Sequence, residues 1–161
     1  QRVIVVLAAR AARWPPARLV VANEGSVRGA LQAQVRHLGL LGQVRFVGRL
    51  DAQTQADWYR RAGWCLSLPR SDSVSVSVLE AMAPGCIPIL SDLPANRELV
   101  RADDNGKILP DAALPAAAAL QALRARAPAI AAANHAWARE HAMFEPCVQR
   151  FVQRLRELQA A

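Results

Sequence analysis

Two acids separated by a run of serines are the residues in this chain best placed to do chemistry. Asp72 and Glu80 stand eight positions apart in the stretch 71–85, Ser-Asp-Ser-Val-Ser-Val-Ser-Val-Leu-Glu-Ala-Met-Ala-Pro-Gly. An ionised carboxylate is purely an acceptor and takes two hydroxyl donors at once, so such a pair suits a ligand rich in hydroxyls. Val74, Val76 and Val78 alternate with Ser73, Ser75 and Ser77, which alone is the period of a half-exposed strand. Serines ahead of the apolar segment 78–83, which Pro84 and Gly85 then stop, are what a helix start requires. The helix reading is adopted, with its first turn near Ser75. The unpartnered N–H groups and dipole of such an end would seat a phosphate, leaving the carboxylates to face the neutral parts of the same ligand.

The elements that must hold this stretch follow from the pattern around it. Segment 64–68 reads as a buried strand ended by Pro69, so the acids lie in the loop and helix that follow a strand. In an open α/β sheet that is where ligands bind. Upstream, 19–22 and 44–47 are strands, Ser26 is a candidate cap with Gly39 a stop, and Asp51 opens a helix carrying Trp58 and Tyr59, both read as packing residues. Downstream come a strand at 87–90, whose Pro88 suggests a strand start or an edge, and a short helix with Pro94 in its first turn. The Asn105-Gly106 turn then leads to 107–109. Residues 2–14 are read as one helix, and the chain is helical from 111, with Pro115 suited to a first turn. The last helix repeats Val148, Phe151, Val152, Leu155 and Leu158 at three- and four-residue spacing, an apolar face packed on its own domain or on another. Strands alternating with helices predict a Rossmann-like α/β domain, a parallel sheet of about five strands with helices on both faces.

Composition narrows the function classes. At 161 residues the chain is one domain, and no apolar run is long enough to span a membrane. A cytoplasmic location is expected. Cys65, Cys86 and Cys147 have unrelated spacings, as buried free thiols would, and His135 and His141 are off-register for one helical face, so no metal site is expected. The 20 basic residues, all arginine except Lys107, exceed the 13 acids to give +7. Anionic partners are favoured, but the arginines are scattered and no nucleic-acid module is present. The turn 23–26 lacks the glycines of a dinucleotide fingerprint and the Gly-Lys of a phosphate loop.

The segments Val-Ala-Asn-Glu-Gly (21–25), Val-Arg-Phe-Val-Gly-Arg-Leu (44–50), 72–85 and Ser-Asp-Leu-Pro-Ala-Asn-Arg-Glu-Leu (91–99) resemble, in order and spacing, the C-terminal nucleotide-sugar-binding domain of retaining GT-B glycosyltransferases of family four. The resemblance covers residues 3–158 and implies one half of a GT-B architecture, N-terminally truncated and without its acceptor domain. It implies a nucleoside-diphosphate sugar as donor, transfer without a metal or other cofactor, and a glycan or lipid-linked acceptor. The basic surface would suit such an acceptor at the inner membrane face.

Residue by residue, the resemblance places Asp72 beside the donor sugar as the catalytic residue, contacting its hydroxyls, and Glu80 on the ribose hydroxyls. It sets Ser73, Val74, Ser75, Val76 and Ser77 along the sugar and diphosphate, Glu24 and Gly25 beside the phosphates, and Arg49 and Leu50 against the base. The sequence departs from the family in having Asp at 72, Val74 and Ser75 for a glycine pair, and Asn23 for the first glycine of a turn. The first strand and the arginine and lysine that clamp the diphosphate are not found, so the chain alone is expected to be nearly inactive. A sugar-nucleotide 2-epimerase domain and a non-catalytic nucleotide-binding or interaction module remain alternatives.

Overall fold

The computed structural model describes residues 18–22, 24–101, 104–110 and 115–159. The helix expected over 2–14 lies outside them. Five strands and seven helices are present among the described residues: β1 Leu19–Val21, α1 Arg28–His37, β2 Val44–Phe46, α2 Ala52–Arg61, β3 Trp64–Ser67, α3 Val76–Met82, β4 Ile87–Ser91, α4 Pro94–Leu99, β5 Lys107–Leu109, α5 Ala117–Ala125, α6 Ala127–His141 and α7 Phe144–Gln159. All strand pairs are parallel, and the described strands fall in two ladders, β1-β2 and β3-β4-β5.

Side-chain alternation along β4 shows how both faces are covered. Ile87 and Ile89 pack toward Leu120 and Leu123 of α5 and Ile130 of α6. Leu90 packs against Val78 and Met82 of α3 and Leu99 of α4. All five residues of β4 are buried, as a strand covered on both sides requires. The β1-β2 ladder has a smaller core of its own, Val35, Leu40 and Val44 with Leu19, Val21, Leu31 and Phe46 against it.

Helix ends follow the sequence closely, with two displacements. Asp51 caps α2 by accepting from the Thr54 N–H at 2.7 Å. Helix α1 starts one residue later than a Ser26 cap implies, with Val27 at the cap position and no side-chain bond. Pro115 is buried ahead of α5, whose cap is Ala116, and so lies outside the first turn.

Pro88 is neither at a strand start nor on an edge: β4 is the central strand of its ladder. The neighbouring Ile87 N–H points to β3, donating to Gly63 O at 3.0 Å. Strand alternation therefore aims the donor that Pro88 lacks toward β5, below the point where that pairing begins at Ile89 and Lys107. Gly106 closes this gap. A Cβ there would lie 2.6 Å from Pro88 O and 2.8 Å from Pro88 Cγ, so only glycine lets the turn lie against the proline.

Helix α7 has no buried residue, and Phe144, Phe151 and Leu158 are 84%, 64% and 61% exposed. Among the described residues its apolar face is therefore not packed on its own domain.

Candidate functional site

The loops that leave the carboxyl ends of the strands carry most of the chemistry-bearing residues. After β3, residues 68–75 form a loop in which Asp72, Ser73 and Val74 are exposed. Ser75 is extended at the cap of α3, and its carbonyl accepts from the N–H groups of Val78 and Leu79 at 3.0 and 3.2 Å. The helix reading of 71–85 is therefore the one the structure adopts, and Val74 and Val76 do not belong to a strand. The reason lies in burial: Val78, Ala81 and Met82 are fully buried at three- and four-residue spacing, whereas Val76 is 66% exposed. Ser77 and Glu80 are exposed on α3 away from that buried face.

Gly85 fixes where this helix ends. Its φ of +102° is open to glycine, and a Cβ would lie 2.7 Å from Ala131 Cβ of α6. The turn is thus pressed against α6, where the His135 ring meets Ala83 O at 2.6 Å. His141 instead stacks on Trp137 with centroids 5.1 Å apart. The two histidines have separate structural partners, and no cluster of three metal-ligating side chains occurs among the described residues.

The loops after β1 and β2 meet each other. Glu24 pairs with Arg28 of α1 at 3.2 Å, and its Oε1 lies 3.0 Å from where a Cβ on Gly48 would stand. Gly25 is exposed in the same turn, and Arg49 is exposed and Leu50 half-buried just beyond Gly48. Arg28, which a reading of the loops alone passes over, brings a guanidinium to the start of α1 beside these residues. After β4, Arg97 holds Asp92 through both carboxylate oxygens, and this bond draws the Asp92 carboxyl below its ordinary range.

Glu80 has a partner that sequence reasoning missed. Gln55 of α2 donates its amide N–H to Glu80 Oε2 at 2.6 Å, and the same nitrogen lies 3.3 Å from the Tyr59 hydroxyl. The Tyr59 phenol is pushed above its ordinary value by burial first and by Cys65 and Glu80 next. Tyr59 is thus more than packing. Its signal was the polar Gln55 at i and tyrosine at i+4 on one helical face. Trp58 on the neighbouring face lies between the guanidiniums of Arg45 and Arg61, 5.9 and 4.9 Å from the ring centre.

The thiols are structural. Burial pushes Cys65 up to about 12 and Cys86 up to about 11, so neither is a thiolate near neutral pH. Cys86 donates to the carbonyls of Tyr59 and Ala62, tying the end of α2 to β4.

A phosphatidyl-myo-inositol mannosyltransferase of Mycobacterium tuberculosis is 32% identical over 101 residues, 61% of this chain and 25% of that protein. A D-inositol 3-phosphate glycosyltransferase of Jonesia denitrificans is 32% identical over 83 residues, 52% of this chain and 20% of that one. The chain thus spans about a quarter or less of the length of these relatives. The fold matches the C-terminal domain of a glycosyl transferase group 1 family protein, LpcC of Francisella tularensis, with a TM-score of 0.73 at 22% identity, covering 89% of this chain and 78% of that one. It also matches Anabaena HepE in complex with UDP, with a TM-score of 0.68 at 20% identity, covering 95% and 44%. The sequence pattern of the family described as Glycosyl transferases group 1 matches residues 3–134. The chain belongs to that glycosyltransferase family and has the fold of the C-terminal domain of its GT-B members.

Proposed function

We propose that this chain is the donor-binding half of a retaining glycosyltransferase, holding a nucleoside-diphosphate sugar for transfer to a glycan or lipid-linked acceptor bound by another domain of the same protein. The observation that carries the reading is the geometry of 72–80. Two exposed carboxylates flank a loop that turns into α3 at Ser75, with Glu80 already engaged by a neutral donor that leaves its charge intact. The family membership and the UDP and UDP-glucose complexes of HepE, which shares the fold, support the class of donor.

In this reading Asp72 accepts from hydroxyls of the donor sugar, and Glu80 accepts from the ribose diol. The loop from Ser73 to Ser77 lies along the sugar and the diphosphate, with Glu24 and Gly25 bordering the phosphates and Arg49 and Leu50 against the base. Charge that develops on the departing diphosphate is met by preorganised N–H groups and arginines, without a metal ion. Arg28, paired with Glu24, brings a cation to this turn. The acceptor attacks from the face the diphosphate leaves, so the anomeric configuration is retained. Because the acceptor is held by another domain in this reading, residues 1–161 assayed by themselves are expected to turn over very slowly.

The test separates the two acids. UDP, GDP and ADP, and then the sugar-bearing form of whichever binds, are titrated calorimetrically into the full polypeptide that carries this chain. Glu80→Ala is expected to weaken nucleotide and nucleotide sugar alike by about tenfold, as loss of a charged hydrogen-bond partner does. Asp72→Ala is expected to weaken only the sugar-bearing form. Heat from none of the three nucleotides, or equal effects of the two substitutions on both ligands, would contradict the reading.

A further inference from the structure

Helix α2 contributes to this site although it belongs to neither the loop nor the helix that carries the acids. We infer that Gln55, steadied by Tyr59, is the positioning residue for Glu80, turning its carboxylate toward the ligand before any ligand arrives. The inference rests on the proposed role of Glu80 as acceptor for the ribose hydroxyls.

The geometry specifies the arrangement. Gln55 and Tyr59 are one helical turn apart on α2, so their side chains lie side by side. An ionised carboxylate can only accept, so the 2.6 Å contact with Glu80 Oε2 fixes the Gln55 amide with its nitrogen toward α3. That nitrogen has two hydrogens, and the second is directed at the Tyr59 oxygen at 3.3 Å. The phenol is itself half-buried. The result is a short chain from Tyr59 through Gln55 to Glu80 that joins α2 to α3.

Chemistry explains why an amide suits this place better than a cation. A free glutamate on a helix surface loses rotamer entropy when a ligand fixes it. A partner that fixes it beforehand removes that cost from binding. An arginine or lysine would also hold the carboxylate, but it would compete electrostatically with the hydroxyl donors and draw the anionic diphosphate out of register. The glutamine occupies one lone pair, brings no charge, and leaves Oε1 and the remaining lone pair of Oε2 to accept the diol.

The prediction is tested on the full polypeptide with whichever of UDP, GDP and ADP binds it most tightly, and with the 2′,3′-dideoxy form of the same nucleotide. Gln55→Met keeps the volume and removes the donor. It is expected to weaken the ribonucleotide about tenfold and the dideoxy form by less than about twofold, because only the former uses Glu80. Gln55→Glu adds a pH signature. Two carboxylates at this distance repel when both are ionised and share a proton when one is not, so its ribonucleotide affinity is expected to recover as pH falls from 8 toward 5. A merely structural role would weaken both nucleotides equally and give no such recovery. Equal losses, or no loss in Gln55→Met while Glu80→Ala still weakens binding, would overturn this inference alone. Absence of binding by all three nucleotides to the unsubstituted protein would overturn the donor-site reading and this inference with it.

Discussion

Asn134 is fully buried in α6, and every polar atom of its side chain is used. Its amide nitrogen donates to Cys86 O and Asn105 O at 3.2 Å each, and its oxygen accepts from the Asn105 amide at 3.1 Å. Asn105 in turn accepts from the Arg101 N–H and donates to Leu99 O, which is how the turn before β5 is held. Asn134→Leu would leave two buried carbonyls without donors, and we expect a loss of about 2–4 kcal/mol in chemical denaturation. At the other end of the polarity scale, the Asp51 carboxyl is held below the usual carboxylate range chiefly by the Thr54 backbone N–H. A carboxylate whose pKa is depressed on folding stabilises the fold above its unfolded pKa, and that help is lost as pH falls through the folded value. Asp51→Ala should therefore lower the melting temperature at pH 7, with the difference from the parent fading as acid titrates the Asp51 carboxyl. The Asp51 cap was legible because capping needs one residue type at one position. The Asn134 network was not, because its partners come from three distant segments and nothing in local spacing announces them.

Among the elements, α3 and α7 show what periodicity can and cannot tell. The valine and serine alternation of 73–78 fits a strand as well as a helix, and only the buried triplet Val78, Ala81 and Met82 decides between them. The sequence marked the stop at Pro84 and Gly85, and the structure adds the reason the glycine is needed. Gly85→Ala combines a φ of +102° with a contact of 2.7 Å to Ala131 Cβ, and we expect about 1–3 kcal/mol of destabilisation, measured by denaturant unfolding. Pro88 misled in the opposite direction. The rule that confines proline to edges counts donors, and in β4 the missing donor points to a place where the ladder has not yet begun. For α7 the spacing gave the amphipathic face correctly but could not say what covers it. Because no residue of α7 is buried, Phe151→Ser should change stability by less than about 0.5 kcal/mol. It should also reduce concentration-dependent association of the isolated chain in sedimentation.

On the scale of the molecule, alternation of strands and helices was enough to predict a parallel α/β fold with both faces covered. What it could not predict was which strands pair with which. Strand order depends on which edges meet, and β1 and β3 share no hydrogen bonds among the described residues. The candidate site was legible where one segment carried it, at Asp72 and Glu80, and illegible where it was assembled from α2 and α3, as at Gln55. The smaller core described under β1 and β2 has a further physical consequence. It rests on three buried side chains, Val35, Leu40 and Val44, and such a layer should open at lower temperature than the β3-β4-β5 block. Calorimetry should then show two transitions, the first accompanied by loss of amide protection at 19–46 while Ile87, Ile89 and Leu90 stay protected. A nucleotide touching both the Gly48 loop and Glu80 would act as a cross-brace between the layers, raising the first transition more than the second until they merge into one.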